Sequence, residues 1–190
     1  ALVKLAAARA NADVGALSKA KLEAIEKACK AVMDGKHHDQ FQVDMYQGGA
    51  GTSTNMAANE VLANLGLEAM GLPRGRYDKL EPHDDLNMGQ STNDFYPTAL
   101  QAAIVLYNQK LLPEVDQVVK SFRAKGVEFA DVVKMGRTEW QDAVPMTLGQ
   151  EFTAFADALE VEAGALRRAE EALYVVNMGA TAIGTGLNAH

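Results

Sequence analysis

Residues 91–111 read STNDFYPTALQAAIVLYNQKL. Their apolar members decide the fold. Tyr96, Leu100, Ala103, Tyr107 and Leu111 recur at steps of three and four, which is the period of one helix face and not of a strand. Going forward, Val115, Val119, Phe122, Phe129 and Val133 extend the stripe beyond Pro113, with Gly126 weakening it. Proline lacks an N–H, so Pro113 is expected at a helix start or kink rather than in an uninterrupted interior. Residues 134–145 break the period. Thr147 and Gln150 then have the spacing of a capping box, and Leu148, Phe152, Phe155, Leu159, Ala163 and Leu166 form a third stripe reaching about residue 175. Stripes this long suit a helical bundle. The end, Gly179 to Asn188, carries three glycines and reads as a turn.

Going backward, residues 72–90 are rich in Gly, Pro, Asp and His and read as a long loop at a domain boundary. A helix is expected over about 55–70, with Ala58, Val61, Leu62, Leu65 and Ala69 on one face and Gly71 and Pro73 closing it. Ser18 is a candidate N-cap for another helix, with Leu22, Ile25, Cys29 and Val32 in period and Gly35 at its end. Residues 2–15 are Ala-rich and helical, and 36–54 form an irregular polar connector. The expected fold is all-α. A small N-terminal helical domain over 1–88 precedes the first part of a central helical bundle over 89–190. Two or three helices cannot bury both flanks of such stripes, so self-association is expected.

Composition narrows the function. The 190 residues are 48% hydrophobic, with 18 basic and 25 acidic side chains and a net charge of −7. No basic block stands out, so neither nucleic acid nor an anionic membrane is an expected partner. No apolar run approaches 18 residues, which excludes a membrane-spanning helix. Cys29 is the single cysteine. It excludes an intrachain disulfide and a Cys-based zinc site, and fits a reducing, cytoplasmic setting. Ala1 to Ala12 lacks a signal-peptide layout and reads like the middle of a helix, as if the chain began inside a longer polypeptide. His37-His38-Asp39 and His83-Asp84-Asp85 lack metal-ligand spacing and read as solvated loop residues. No metal site is expected from them.

Three polar runs remain. Gly49-Ala50-Gly51-Thr52-Ser53-Thr54 has neither the third glycine of a dinucleotide loop nor a P-loop lysine, and offers close backbone approach plus three hydroxyls. Ser91-Thr92-Asn93-Asp94 stands before the Tyr96 stripe, where free N–H groups and the helix dipole favour an anion. Taken locally, both runs read first as helix caps. Gly136-Arg137-Thr138-Glu139-Trp140-Gln141-Asp142 is harder to explain as a cap. Arg137 could hold a carboxylate in bidentate fashion or pair with Asp142 or Glu139. Trp140 is expected to be packed.

Together these runs resemble the fumarase/aspartase superfamily. Asp44 to Glu60 (DMYQGGAGTSTNMAANE), Gln90 to Asp94 (QSTND) and Gly136 to Gln150 (GRTEWQDAVPMTLGQ) look like the active-site segments of its aspartate ammonia-lyases. Gly179 to Asn188 (GATAIGTGLN) matches the turn that follows. Class II fumarases carry a serine near Ala50. The resemblance implies a homotetramer whose active sites combine residues of three subunits. It implies reversible anti-elimination of ammonia from L-aspartate to give fumarate, without an organic cofactor. Thr52, Ser91 and Thr92 would hold the carboxylate next to the reacting carbon, Asn93 the amino group and Thr138 the other carboxylate. Glu139 stands where many members have His, and is tolerable beside a dicarboxylate if it faces the ammonium or is neutralised by Arg137. The family's catalytic serine lies on a Gly-Ser-Ser-x-Met-Pro-x-Lys-x-Asn-Pro loop that these residues do not contain. The competing readings are another superfamily lyase, such as a class II fumarase, and a non-catalytic helical piece that acts only in an assembly.

Overall fold

The computed structural model describes residues 1–190. The chain is mostly helical, with one small antiparallel sheet. In order come α1 (Leu2–Asp13), α2 (Lys19–Met33), α3 (Thr52–Ala69), α4 (Thr92–Glu128), β1 (Val133–Thr138), β2 (Gln141–Thr147) and α5 (Leu148–Glu170). It divides into two compact units, residues 1–101 with 176–190, and residues 102–175.

The first unit is built on α2, which packs against α1 and α3. Ser18 caps α2, its hydroxyl accepting from the Lys21 N–H at 3.4 Å. Gly35, at φ 88°, ends it, and the Lys36 N–H returns to the Ala31 carbonyl. Ile25, Cys29, Leu62, Ala63 and Leu67 are fully buried between these helices, and Leu80 and Leu86 pin the long 70–91 loop onto them. Residues 89–101, expected with the bundle, belong to this unit because the 176–190 segment is tied to them. Pro97 has no N–H for the Asn93 carbonyl, and the Asn177 side-chain amide donates to that carbonyl instead, at 3.0 Å. Asp94 accepts from the Gly179 and Thr181 N–H groups at 3.1 and 2.9 Å.

In the second unit α4 and α5 run antiparallel. Phe122, Phe129, Phe152 and Phe155 form a tilted aromatic cluster with centroids about 6 Å apart. Ion pairs from Arg123 to Asp157 and Glu160, and from Arg167 to Asp116, flank it. The Thr147–Gln150 capping box starts α5. Contrary to expectation, α4 continues through Pro113. Pro113 and Gln109, whose carbonyl loses its helical partner there, are both exposed, so water can serve that oxygen. Residues 134–145, which break the helical period, lie in a hairpin, with Thr138 opposite Gln141. Its two-residue turn, Glu139-Trp140, lies at φ 48° and 67°. Trp140 is therefore fully exposed rather than packed.

Gly149 lets α5 meet α4 backbone to backbone. A Cβ there would strike the Gly126 carbonyl and lie 2.8 Å from Ala130 Cα. Gly149→Ala is expected to lower stability by about 1–3 kcal/mol, read as a lower urea midpoint. Leu100, Leu106, Tyr107, Leu111 and Val118 along α4 are exposed. An apolar face on this scale predicts self-association; sedimentation at micromolar concentration should show an oligomer, and a well-behaved monomer would contradict it.

Candidate functional site

The first turns of α3 and α4 border one cavity of about 770 Å³ in the first unit. Thr52, Ser91 and Thr92 line it, along with Asn55, Asn87, Gln90, Thr181 and Asn188. Of the residues singled out from sequence, the structure thus brings Thr52, Ser91 and Thr92 to a common wall.

Local geometry explains how they are presented. Gly51 is the N-cap of α3 at φ 88°, and no side chain caps that helix. A Cβ on Gly51 would lie 2.5 Å from the Tyr96 ring, so glycine is required both for its conformation and for the contact. The hydroxyls of Thr52, Ser53 and Thr54 are therefore not used as caps there. At α4 the capping use is real. Ser91 Oγ accepts from the Asn93 N–H at 3.2 Å, and Asp94 accepts from the Ser91 N–H at 2.9 Å. A hydroxyl that accepts still has its own hydrogen to donate. Capping and anion binding are compatible at Ser91.

Asn93 is exposed, and its amide donates to the Ala182 carbonyl at 2.7 Å. That leaves its side-chain oxygen as an acceptor for a cation. Thr138 and Glu139 are exposed on the hairpin of the second unit. Arg137 pairs with Asp142 at 2.9 Å, its register partner, so the salt bridge does not neutralise Glu139.

Behind the cavity lies a buried polar cluster that the sequence did not reveal. Lys4, on α1, is fully buried, donates to Asn87 Oδ1 at 2.8 Å and Gln90 Oε1 at 2.9 Å, and sits 3.9 Å from the centroid of the Phe95 ring. Asn55 and Asn59 both turn their nitrogens to Asn87 Oδ1, at 3.1 and 3.2 Å. Their own oxygens are buried without a partner, an arrangement costing about 1–3 kcal/mol per group. No spacing signal links residues more than 80 positions apart. Nearby, Asp85 accepts from Lys21 at 2.7 Å and from the Glu81 N–H at 2.8 Å, which holds the loop. His83 and Asp84, read from sequence as solvated, are exposed yet line the same cavity, 3.1 Å apart. With Glu81 they bring three ligand-type atoms within 4.8 Å of one another.

Burial pushes the Lys4 ammonium down from 10.5 to about 7, against the opposing pull of Asp94. Between those values the unfolded chain binds more protons than the folded one, so stability should rise with pH, by at most about 1.4 kcal/mol per unit. Burial raises Cys29 to about 11, which opposes this above pH 9. The clean window is therefore pH 7 to 9. Urea unfolding at pH 7 and 9 should show a gain that largely disappears in Lys4→Met; an equal gain in both proteins would contradict the assignment.

The cavity is lined mostly by hydroxyls and amides at two helix starts, with His83 and Asp84 also on its wall. The family profile described as Lyase matches residues 1–190, and the chain belongs to that family. It is 58% identical over 190 residues to the aspartate ammonia-lyase of Pseudomonas aeruginosa, covering all of this chain and 40% of that protein. The crystal structure of fumarate lyase:delta crystallin from Brucella melitensis, bound to cobalt, superposes with a TM-score of 0.93 at 50% identity over 99% of this chain and 41% of that one. Class II fumarase from Schistosoma mansoni gives 0.89 at 37% identity over 98% of this chain and 39% of that one. The chain spans about two-fifths of the length of the relatives it matches. No helix is long and apolar enough to cross a membrane.

Proposed function

We propose that residues 1–190 supply the carboxylate-binding part of an aspartate ammonia-lyase, which converts L-aspartate reversibly to fumarate and ammonia. The observation that carries this reading is the meeting of Thr52, Ser91 and Thr92 on one cavity wall. Removing the weakly acidic Cβ proton drives charge onto the neighbouring carboxylate, which becomes an enolate-like dianion. Hydroxyl and amide donors held around that carboxylate stabilise the dianion more than the ground state. The α3 and α4 N-termini add their dipoles. Neutral donors suit this task in a chain of net charge −7, because they attract the developing charge without needing counterions. Asn93, through its side-chain oxygen, takes the leaving ammonium. Thr138 takes the second carboxylate, with Glu139 beside it, in sites shared among the subunits of a cytoplasmic homotetramer. No organic cofactor takes part, and the proton acceptor comes from outside these residues.

The 58% identity to an aspartate ammonia-lyase supports this reading over hydration chemistry, and so does Ala50, where class II fumarases carry serine. The likeness to a class II fumarase keeps the second reading alive. A lyase carrying these residues should form fumarate and ammonia from L-aspartate in equal amounts, followed by the ultraviolet absorbance of fumarate. Hydration of fumarate to malate without ammonia chemistry would move the assignment to the fumarases, and neither reaction would overturn it.

A further inference from the structure

Two buried charges stand behind the cavity wall. Asp94 is fully buried, and its carboxylate accepts from the Ser91, Gly179 and Thr181 N–H groups at 2.9, 3.1 and 2.9 Å. Ser91 and Thr181 line the cavity, so this negative charge lies directly behind the place proposed for a bound carboxylate. Lys4 is the opposite charge. Its hydrogen bonds go to Asn87 Oδ1 and Gln90 Oε1, neutral oxygens of two side chains that also line the cavity. The face of the Phe95 ring lies against it as well, 3.9 Å to the centroid. Two oxygens and a ring face suit an ammonium, yet both of its hydrogen bonds go to uncharged groups and it is shut off from water. Through Asn87 and Asn55 the ammonium is three hydrogen bonds from Thr92 Oγ1, at 2.8, 3.1 and 3.0 Å.

An anion entering the cavity changes this balance. Unit charges roughly 10 Å apart, at an effective dielectric constant of about 20, shift one another's protonation by about one pH unit, or tenfold in binding. Charged Lys4 attracts the anion, and neutral Lys4 leaves Asp94 unopposed. Burial brings Lys4 down to about 7, so near neutral pH the empty protein holds both forms. The other ionisable groups that act on Lys4 are Asp94 on α4 and Cys29 on α2, which favour its charge, and the Ala1 amino group, which opposes it. The Cys29 thiol, raised to about 11, is neutral below pH 9. The Ala1 nitrogen is a peptide nitrogen wherever residues precede it. Asp85, on the adjoining loop, is paired with Lys21. We propose that Lys4 is the counter-charge of the anion cavity: its ammonium offsets Asp94 behind the wall, and a dicarboxylate binds together with a proton that goes to Lys4. The proposal rests on the carboxylate-binding reading above.

The test is calorimetry of succinate binding to a lyase that carries these residues, from pH 7 to 9, in buffers of different ionisation enthalpy. About half a proton should be taken up per succinate at pH 7.5, and the dissociation constant should rise about fivefold between pH 7 and 9. Lys4→Met should remove that half proton. Its affinity should be about fivefold weaker than the parent's at pH 7 and about equal to it at pH 9, a convergence that lost packing alone would not produce. If Lys4→Met does not fold, Lys4→Gln serves, since it keeps a donor for Asn87 without the charge, and the same result is expected. His83 and Asp84 are exposed on the same wall, so the proton uptake is also measured in His83→Gln, where it should persist whatever that change does to affinity. Uptake that survives removal of the Lys4 charge, uptake that disappears in His83→Gln, or a loss of affinity equal at pH 7 and 9 would each overturn the proposal, while succinate binding by the parent would leave the carboxylate reading standing. A parent that binds no succinate at any of these pH values would overturn both.

Discussion

Thr92→Val in an active lyase carrying these residues should lower kcat by about 10² to 10³, the usual loss when one preorganised donor to a developing oxyanion is removed. Thr92→Ser, which keeps the hydroxyl, should retain most of the rate. The reason is geometric. Thr92 Oγ1 already accepts from Asn55, so its hydrogen is available where charge grows. Valine keeps the shape and removes the donor, leaving one Asn55 hydrogen unpaired, so the fold should lose only about 1–3 kcal/mol. Steady-state kinetics together with urea unfolding separate the two effects. A variant as active as the parent would show that the cavity wall does not face the reacting carboxylate.

Residues 1–190 alone should form no fumarate above a rate some 10² to 10⁴ below that of the complete enzyme, the span covered by one missing proton-transfer group. The Ser91 and Thr92 hydroxyls on the cavity wall are hydrogen-bonded to no basic side chain. Ser91 Oγ is bonded to the Asn93 N–H and Thr92 Oγ1 to the Asn55 amide, and neither neighbour can take up a proton from the hydroxyl. Adding in trans the remaining part of a related lyase should restore turnover where the pieces assemble. Fumarate formed by the 190 residues alone, and abolished by Thr92→Val, would place a base among them. His83, on the cavity wall, would then be the first to replace, by His83→Gln.

Helix-level structure was largely legible because it depends on local spacing. Ser18, Gly35 and the Thr147–Gln150 pair cap or end helices where their residue types allow, and the apolar period marked α2, α3, α4 and α5. Misreadings arose where tertiary context or an uncommon residue set the outcome. The Glu139-Trp140 turn has positive φ at both positions without the Asn-Gly pair that signals it, so the hairpin was hidden. Pro113 sits inside a helix because its face is wet. At the site, the hydroxyls of Thr52, Ser91 and Thr92 could be read as donors, but not the cavity they share. Lys4 looked like one lysine in an Ala-rich helix, because its partners lie 83 and 86 residues away.

The tie between Asp94 and Thr181 spans 87 residues. In a chain emerging from the ribosome at roughly 5–20 residues per second, the second half of that tie follows the first by about 4 to 17 seconds. Closing so long a loop also carries an entropy term of about 4 kcal/mol, which grows only slowly with length. The α1–α3 core has none of this to wait for. Its contacts can form while residues 102–175 are still being made, whereas the wall around Ser91 and Thr92 stays unfinished until the tail arrives. Assembly of the scaffold and completion of the anion pocket are thus separate events in the birth of the chain, and the pocket is the later of the two.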